Sequence, residues 1–123
     1  ASFDIECTSF DGSFPKATRK EDEMIQIGTT IYEYGTNKCV YQYICTLKKC
    51  DPIEGIHVES YDNERDLIIG WANFIEKSDP DIMTGYNIWG FDWEYIYERA
   101  KMCDCLHIQW MLLIVILYLE LFS

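Results

Sequence analysis

The sequence predicts an α/β domain, a mixed sheet with flanking helices. Three observations point there. Strand-like alternation of apolar and polar residues recurs early in the chain. Two later stretches space their apolar residues as helices do. A short apolar stretch, 81–86, separates those two, so the order reads β-β-β-α-β-α. With 123 residues, 49% of them hydrophobic and 25% charged, the chain can bury one ordinary core.

The first strand is Ser2 to Glu6, where Phe3 and Ile5 alternate with Ser2, Asp4 and Glu6. Asp11-Gly12 and Pro15 then mark a loop, followed by the charged run Arg19 to Glu23. Met24 to Tyr34 is expected as a second strand, with Ile25, Ile27 and Ile31 on one face and Thr29 among them. Gly35 to Lys38 forms a turn. Val40 to Leu47 is the third strand, with Val40 and Ile44 on one face and Tyr41, Tyr43, Cys45 and Leu47 on the other. Two long strands joined by a short turn make an antiparallel hairpin beside the first strand. Lys48 to Ser60 reads as a loop holding a short strand at Ile56 to Val58. Asp62 or Asn63 can cap a helix ending near Lys77, whose apolar stripe is Leu67, Ile68, Trp71, Phe74 and Ile75. Ser78-Asp79-Pro80 stops that helix. Asp81 to Tyr86 is expected as the fourth strand, and Phe91 to about Lys101 as a second helix with Tyr95, Ile96 and Ala100 inward.

The net charge of −11 argues against a free-standing nucleic-acid binder, because phosphate binding normally needs a basic face. It suits a module that concentrates carboxylates and leaves the basic channel to other domains. The six cysteines show no CxxC, and His57 and His107 complete no zinc spacing, so reduced thiols are expected. The chain opens Ala1-Ser2-Phe3-Asp4, with no signal-peptide pattern and already in a core strand, which reads as a start inside a larger protein. Trp110 to Leu119 is an unbroken apolar run too short to span a bilayer. It reads as a buried element or as sequence foreign to the domain.

Asp4 and Glu6 stand two apart on a strand and therefore share a face. Two neighbouring carboxylates repel unless a cation lies between them, and all-oxygen ligands suit Mg²⁺ or Mn²⁺. A plain solvated face is the competing reading, since Asp62-Asn63-Glu64 and Asp92-Trp93-Glu94 repeat the same spacing. In Thr84-Gly85-Tyr86-Asn87-Ile88-Trp89-Gly90-Phe91-Asp92 a strand ends, a turn follows and an acid opens a helix. Asp92 is there either a helix-start residue or the completion of a carboxylate cluster at a strand end. Phe91 offers either core packing or an aromatic surface for an unstacked base.

Phe3-Asp4-Ile5-Glu6 resembles the first exonuclease motif of the family B DNA polymerases, and Asn87-Ile88-Trp89-Gly90-Phe91-Asp92 resembles the second. Gly12-Ser13-Phe14-Pro15, Ile25-Gln26-Ile27-Gly28, Glu59-Ser60-Tyr61 and Asp79-Pro80-Asp81 look like the DNA polymerase delta type, a group including replicases of large DNA viruses. The resemblance runs to about Ala100 and is lost from Cys103 onward, which implies 1–102 as the N-terminal part of the exonuclease domain and 103–123 as a divergent apolar tail. It implies a ribonuclease-H-like (DnaQ-like) exonuclease fold, cut short on its C-terminal side. It also implies 3′–5′ proofreading by two-metal phosphodiester hydrolysis, with Mg²⁺ or Mn²⁺ as cofactor. Asp4, Glu6 and Asp92 would then be the catalytic metal ligands, and Asn87 and Phe91 the contacts to the frayed primer end. The implied partners are primer-template DNA with its single-stranded 3′ end, the remaining polymerase domains and accessory replication subunits, with no membrane. The implied location is a nucleus or a viral replication site.

The family's third exonuclease motif, a Tyr with an Asp four residues later, has no counterpart: four past Tyr97 is Lys101, and four past Tyr118 is Phe122. The piece alone is therefore expected to be inactive. Leu106 to Ser123 is read as a frameshift, intron read-through or truncation product. A stand-alone nuclease and a non-catalytic interaction module of the same fold are the alternatives.

Overall fold

A computed structural model describes residues 1–106. Its strands are β1 (Ser2–Cys7), β2 (Met24–Tyr32), β3 (Cys39–Leu47) and β4 (His57–Tyr61); its helices are α1 (Glu64–Ser78) and α2 (Asp92–Met102). The sheet runs β1-β2-β3-β4, antiparallel through β3, with β4 added parallel to β3. This is the expected α/β architecture of the ribonuclease-H-like kind.

Period-2 alternation sorts the sheet into two faces. Phe3 and Ile5 of β1, Ile27 of β2, and Tyr43 and Cys45 of β3 are buried beneath the helices. From α1 come Leu67, Ile68, Trp71 and Ile75, the stripe expected from helical spacing. Phe3 sits between two indoles, 5.1 Å from Trp71 and 4.9 Å from Trp93, so the strand that carries Asp4 and Glu6 is pinned by its own neighbours. Each such ring pair adds about 0.5–1.5 kcal/mol beyond simple burial. Trp71 also donates its indole N–H to Thr29, which lets a hydroxyl sit in the core.

The ends of α1 follow from local chemistry. Asn63 is the N-cap and accepts from the Asp66 amide at 2.8 Å. Asp79 closes the helix in the left-handed region, at φ 45°, just before Pro80.

Three strand expectations need correction. First, Ile25 does not join Ile27 in the core. The register slips between Glu6 and Cys7, which face Gln26 and Met24 respectively, so Ile25 is the extra residue of a bulge. Met24 is buried in its place. Second, the short strand at 56–58 extends to Tyr61 and becomes a member of the sheet, and β2 stops at Tyr32. Third, 81–86 does not form a strand. It makes one parallel bridge, Ser2 to Thr84, through Phe3 N–H to Thr84 O (3.1 Å) and Thr84 N–H to Ala1 O (2.9 Å). The next outward amide of β1, that of Ile5, is given to the side chain of Asp92, so the backbone ladder cannot continue.

The tail readings for 107–123, including Trp110 to Leu119, lie outside the described residues. Packing continues past 102, since Cys105 is fully buried and its amide bonds to Ala100 O. Among the described residues no helix is long and apolar enough to cross a membrane.

Candidate active site

Asp4 and Glu6 project from β1 on the face opposite Phe3 and Ile5, and both are exposed. Opposite them on β2 stand Gly28 and Gln26. Gly28 contributes no side chain, and a Cβ there would meet nothing within 4 Å, so the surface beside Asp4 is open. An open groove of about 610 Å³ begins there and passes Gly28, Ile44 and Ile56, with Tyr86 on its rim.

Asp92 comes to this edge from the other end of the chain. The bridge at Thr84 holds the 81–86 segment against β1. Gly85 then passes so close that a Cβ would lie 2.5 Å from Phe3 O. Asn87 adopts φ 51°, a left-handed conformation that Asn tolerates, and reverses the chain. Its carbonyl accepts from Gly90, and its amide oxygen lies where a Gly90 side chain would be. Asn87 itself is exposed at this turn. Phe91 is the α2 N-cap residue and has no side-chain cap bond. Asp92 is 3% exposed, and its Oδ1 accepts from the Ile5 amide at 3.1 Å. Ile5 lies between Asp4 and Glu6, so one hydrogen bond brings the third carboxylate to the strand that carries the other two.

The electrostatics record this meeting. Burial pushes the Asp92 carboxyl above its usual range, and the charges of Asp4 and Glu6 push it further; the Ile5 amide opposes them. Neighbouring carboxylates of this kind repel one another unless a positive group lies between them. Among the described residues no three His, Cys, Asp or Glu side chains are placed closely enough to hold a metal ion together. The donor set fits Mg²⁺ or Mn²⁺ in chemistry: all oxygen, all anionic and partly open to solvent.

Phe91 is half-buried and packs on Tyr95, with ring centroids 5.2 Å apart. Its other side meets Phe14 edge-on, also at 5.2 Å. Phe14 is 71% exposed, so the pair presents apolar surface next to Asp92. Sequence reasoning did not anticipate Phe14 beside Phe91. The available signal was a Phe flanked by Gly12, Ser13 and Pro15 in an otherwise polar loop.

It also missed a buried ion pair. Glu64, in the first turn of α1, is buried and receives Arg99 Nε at 2.8 Å and Nη2 at 2.5 Å. All six cysteines are free, and burial raises Cys7 and Cys45 to about 12 and Cys103 to about 11, far from the thiolate form.

Compared with known families, residues 1–112 match the family model for the DNA polymerase family B exonuclease domain. The chain is 53% identical over 102 residues to a DNA polymerase of Acanthamoeba polyphaga mimivirus, covering 83% of this chain and 6% of that protein. It is 50% identical over 86 residues to a DNA polymerase of Pyramimonas orientalis virus, covering 70% of this chain and 7% of that protein. A DNA polymerase delta catalytic subunit of Oryza sativa is 45% identical over 101 residues, covering 82% of this chain and 9% of that protein. The chain thus spans less than a tenth of the length of these relatives.

Proposed function

Because the chain belongs to the exonuclease domain family of the family B DNA polymerases, we propose that it forms the metal-binding half of a 3′–5′ proofreading centre within a replicative DNA polymerase. The observation that carries this reading is the Asp92–Ile5 hydrogen bond, which joins the helix-start acid to the strand bearing Asp4 and Glu6. Asp4, Glu6 and Asp92 would hold divalent cations, Mg²⁺ or Mn²⁺. When bound, these would supply an activated water and charge stabilisation at the phosphodiester.

The remaining work falls to residues of the chain. Phe91 and Phe14 give an unpaired terminal base a face to lie against once it leaves the stack. A mispaired end unstacks at lower cost, which selects it for removal. Asn87 stands on the same turn with its amide available to the primer end. Acidic and lacking the Tyr-and-Asp motif, the 123-residue chain alone should show little nuclease activity. The longer protein would act on the single-stranded 3′ end of a primer, in a nucleus or a viral replication site, with accessory replication subunits as partners.

Calorimetric titration of the chain with Mn²⁺ tests the core of the reading. Binding is expected in the native chain and should be lost in Asp4→Ala, whose exposed side chain can be removed without harm to the core. Equal titration curves for the two proteins would sink it.

A further inference from the structure

The loop 8–23 carries two exposed rings, Phe10 and Phe14, yet it is tied down unusually well for a surface loop. Its neck is closed by Thr8, whose amide donates to Glu23 O and whose Oγ1 accepts from Glu23 N–H. Inside it, the fully buried Asp22 accepts from the Phe10 amide (2.8 Å), the Lys16 amide (2.8 Å) and Arg19 Nε (2.9 Å). Tyr95 of α2 donates to Asp22 O at 2.7 Å.

The second anchor is Arg99, 2% exposed on α2. A guanidinium has five N–H donors. Two go to Glu64 of α1; the other three go to loop carbonyls, Ala17 O (3.2 Å), Arg19 O (2.7 Å) and Lys20 O (3.1 Å). Glu64 in turn accepts the Met24 amide at 2.8 Å, where the loop enters β2. Every donor of the buried cation is used, and three of the five hold one face of the loop. A buried ion pair is a weak source of net stability, so this arrangement is better explained by what it fixes in place.

We propose that Arg99, seated on Glu64, is a positioning residue for the exonuclease site: it sets the 8–23 loop so that Phe14 meets Phe91 beside Asp92. This rests on the reading of Phe14 and Phe91 as the surface for an unstacked base. Arg99 touches neither nucleic acid nor metal in this scheme and acts only through the loop. Lysine at position 99 keeps the charge but has three donors and no planar fork, so it cannot serve Glu64 and three carbonyls together.

The test uses the 123-residue chain with two readouts. Nuclear Overhauser contacts between the Phe14 and Phe91 rings report loop position. Affinity for a short oligothymidylate in Mg²⁺ reports function. In Arg99→Lys the ring contacts should weaken and affinity should fall about fivefold, and Phe14→Ala should lose a similar factor. The Arg99→Lys/Phe14→Ala double variant should bind no more weakly than Phe14→Ala alone, because both changes remove one surface. Additive losses, or undisturbed ring contacts in Arg99→Lys, would overturn the proposal. If Phe14→Ala binds normally, the base-contact reading fails, and the ring contacts still decide whether Arg99 positions the loop. Should Arg99→Lys fail to fold, Asp22→Asn loosens the same loop from its other anchor and takes its place in the cycle.

Discussion

Asp92 is a residue whose charge the fold opposes. Its carboxylate is buried, and the nearby charges of Asp4 and Glu6 oppose its ionisation. Asp92→Asn keeps an oxygen for the Ile5 amide while removing a negative charge from the cluster. In EDTA at neutral pH the variant should therefore be more stable than the native chain, by about 0.5–2 kcal/mol, the range found when strain at functional sites is relieved. Thermal unfolding with and without Mn²⁺ measures this. The native chain should gain stability on adding Mn²⁺, and the variant should gain much less. A variant less stable in EDTA would show that the carboxylate serves the fold rather than a cation. That Asp92 opens a helix was legible in the sequence, because an acid follows a Gly-containing turn there; that it reaches the Ile5 amide was not, since the 81–86 segment expected as a strand makes only one bridge. Neither were Phe14 and Arg99. Their importance lies in contacts across 77 and 35 or more positions that no local pattern encodes, since Phe14 reaches Phe91 and Arg99 reaches Glu64.

At the scale of elements, the approach of 81–86 to β1 determines where Asp92 arrives. A Cβ on Gly85 would lie 2.5 Å from the backbone oxygen of Phe3 and 2.4 Å from Ile88 Cγ2. The backbone contact cannot be relieved by a rotamer change. Gly85→Ala should cost about 1–3 kcal/mol and shift the turn away from β1, weakening Mn²⁺ binding as well. Gly70→Ala is the control. A Cβ there would lie 2.1 Å from the Tyr61 hydroxyl, so the Tyr61 ring must swing aside and give up its hydrogen bond to Glu59. That change should destabilise by a similar amount, yet leave Mn²⁺ affinity in the folded protein intact. Calorimetry on both variants separates the two effects, and a loss of Mn²⁺ binding in Gly70→Ala would refute the separation. The same elements show what period and composition can convey. The antiparallel β1-β2-β3 core and both helices followed from alternation and helical stripes, because each buries one face against a neighbour. The bulge at Ile25 and the single bridge at Thr84 did not, because both depend on how strand edges meet. In 81–86 the apolar run looked like a strand, but β1 gives its next edge amide to Asp92.

For the whole molecule, a net charge of −11 and two opposing sets of carboxylates shape the response to pH. Burial pushes Asp22 up, but the Lys16 and Phe10 amides and Arg19 outweigh it and hold the carboxyl below its usual range. Hydrogen bonds from Tyr61 and Tyr43 hold Glu59 down in the same way. A depressed carboxyl contributes stability that is present above its unfolded value and lost as pH falls through its folded value. Asp92 has the opposite sign. Its raised carboxyl costs stability when ionised, and that cost is removed as pH falls through its folded value. Lowering the pH from neutrality first relieves Asp92 and reduces the general self-repulsion; at lower pH Asp22 and Glu59 themselves take up protons and their stabilising contribution is lost. In EDTA at constant ionic strength, the melting temperature should thus rise from pH 8 to a maximum near about pH 5, then fall steeply below about pH 4. Saturating Mn²⁺ should move the maximum toward neutral pH, because cation binding favours the ionised cluster that acid destroys. A melting profile in EDTA that peaks at neutral pH and ignores Mn²⁺ would mean that the three carboxylates do not act together. Under the proposed reading, their joint action would let an acidic chain serve as the cation-holding part of an exonuclease domain.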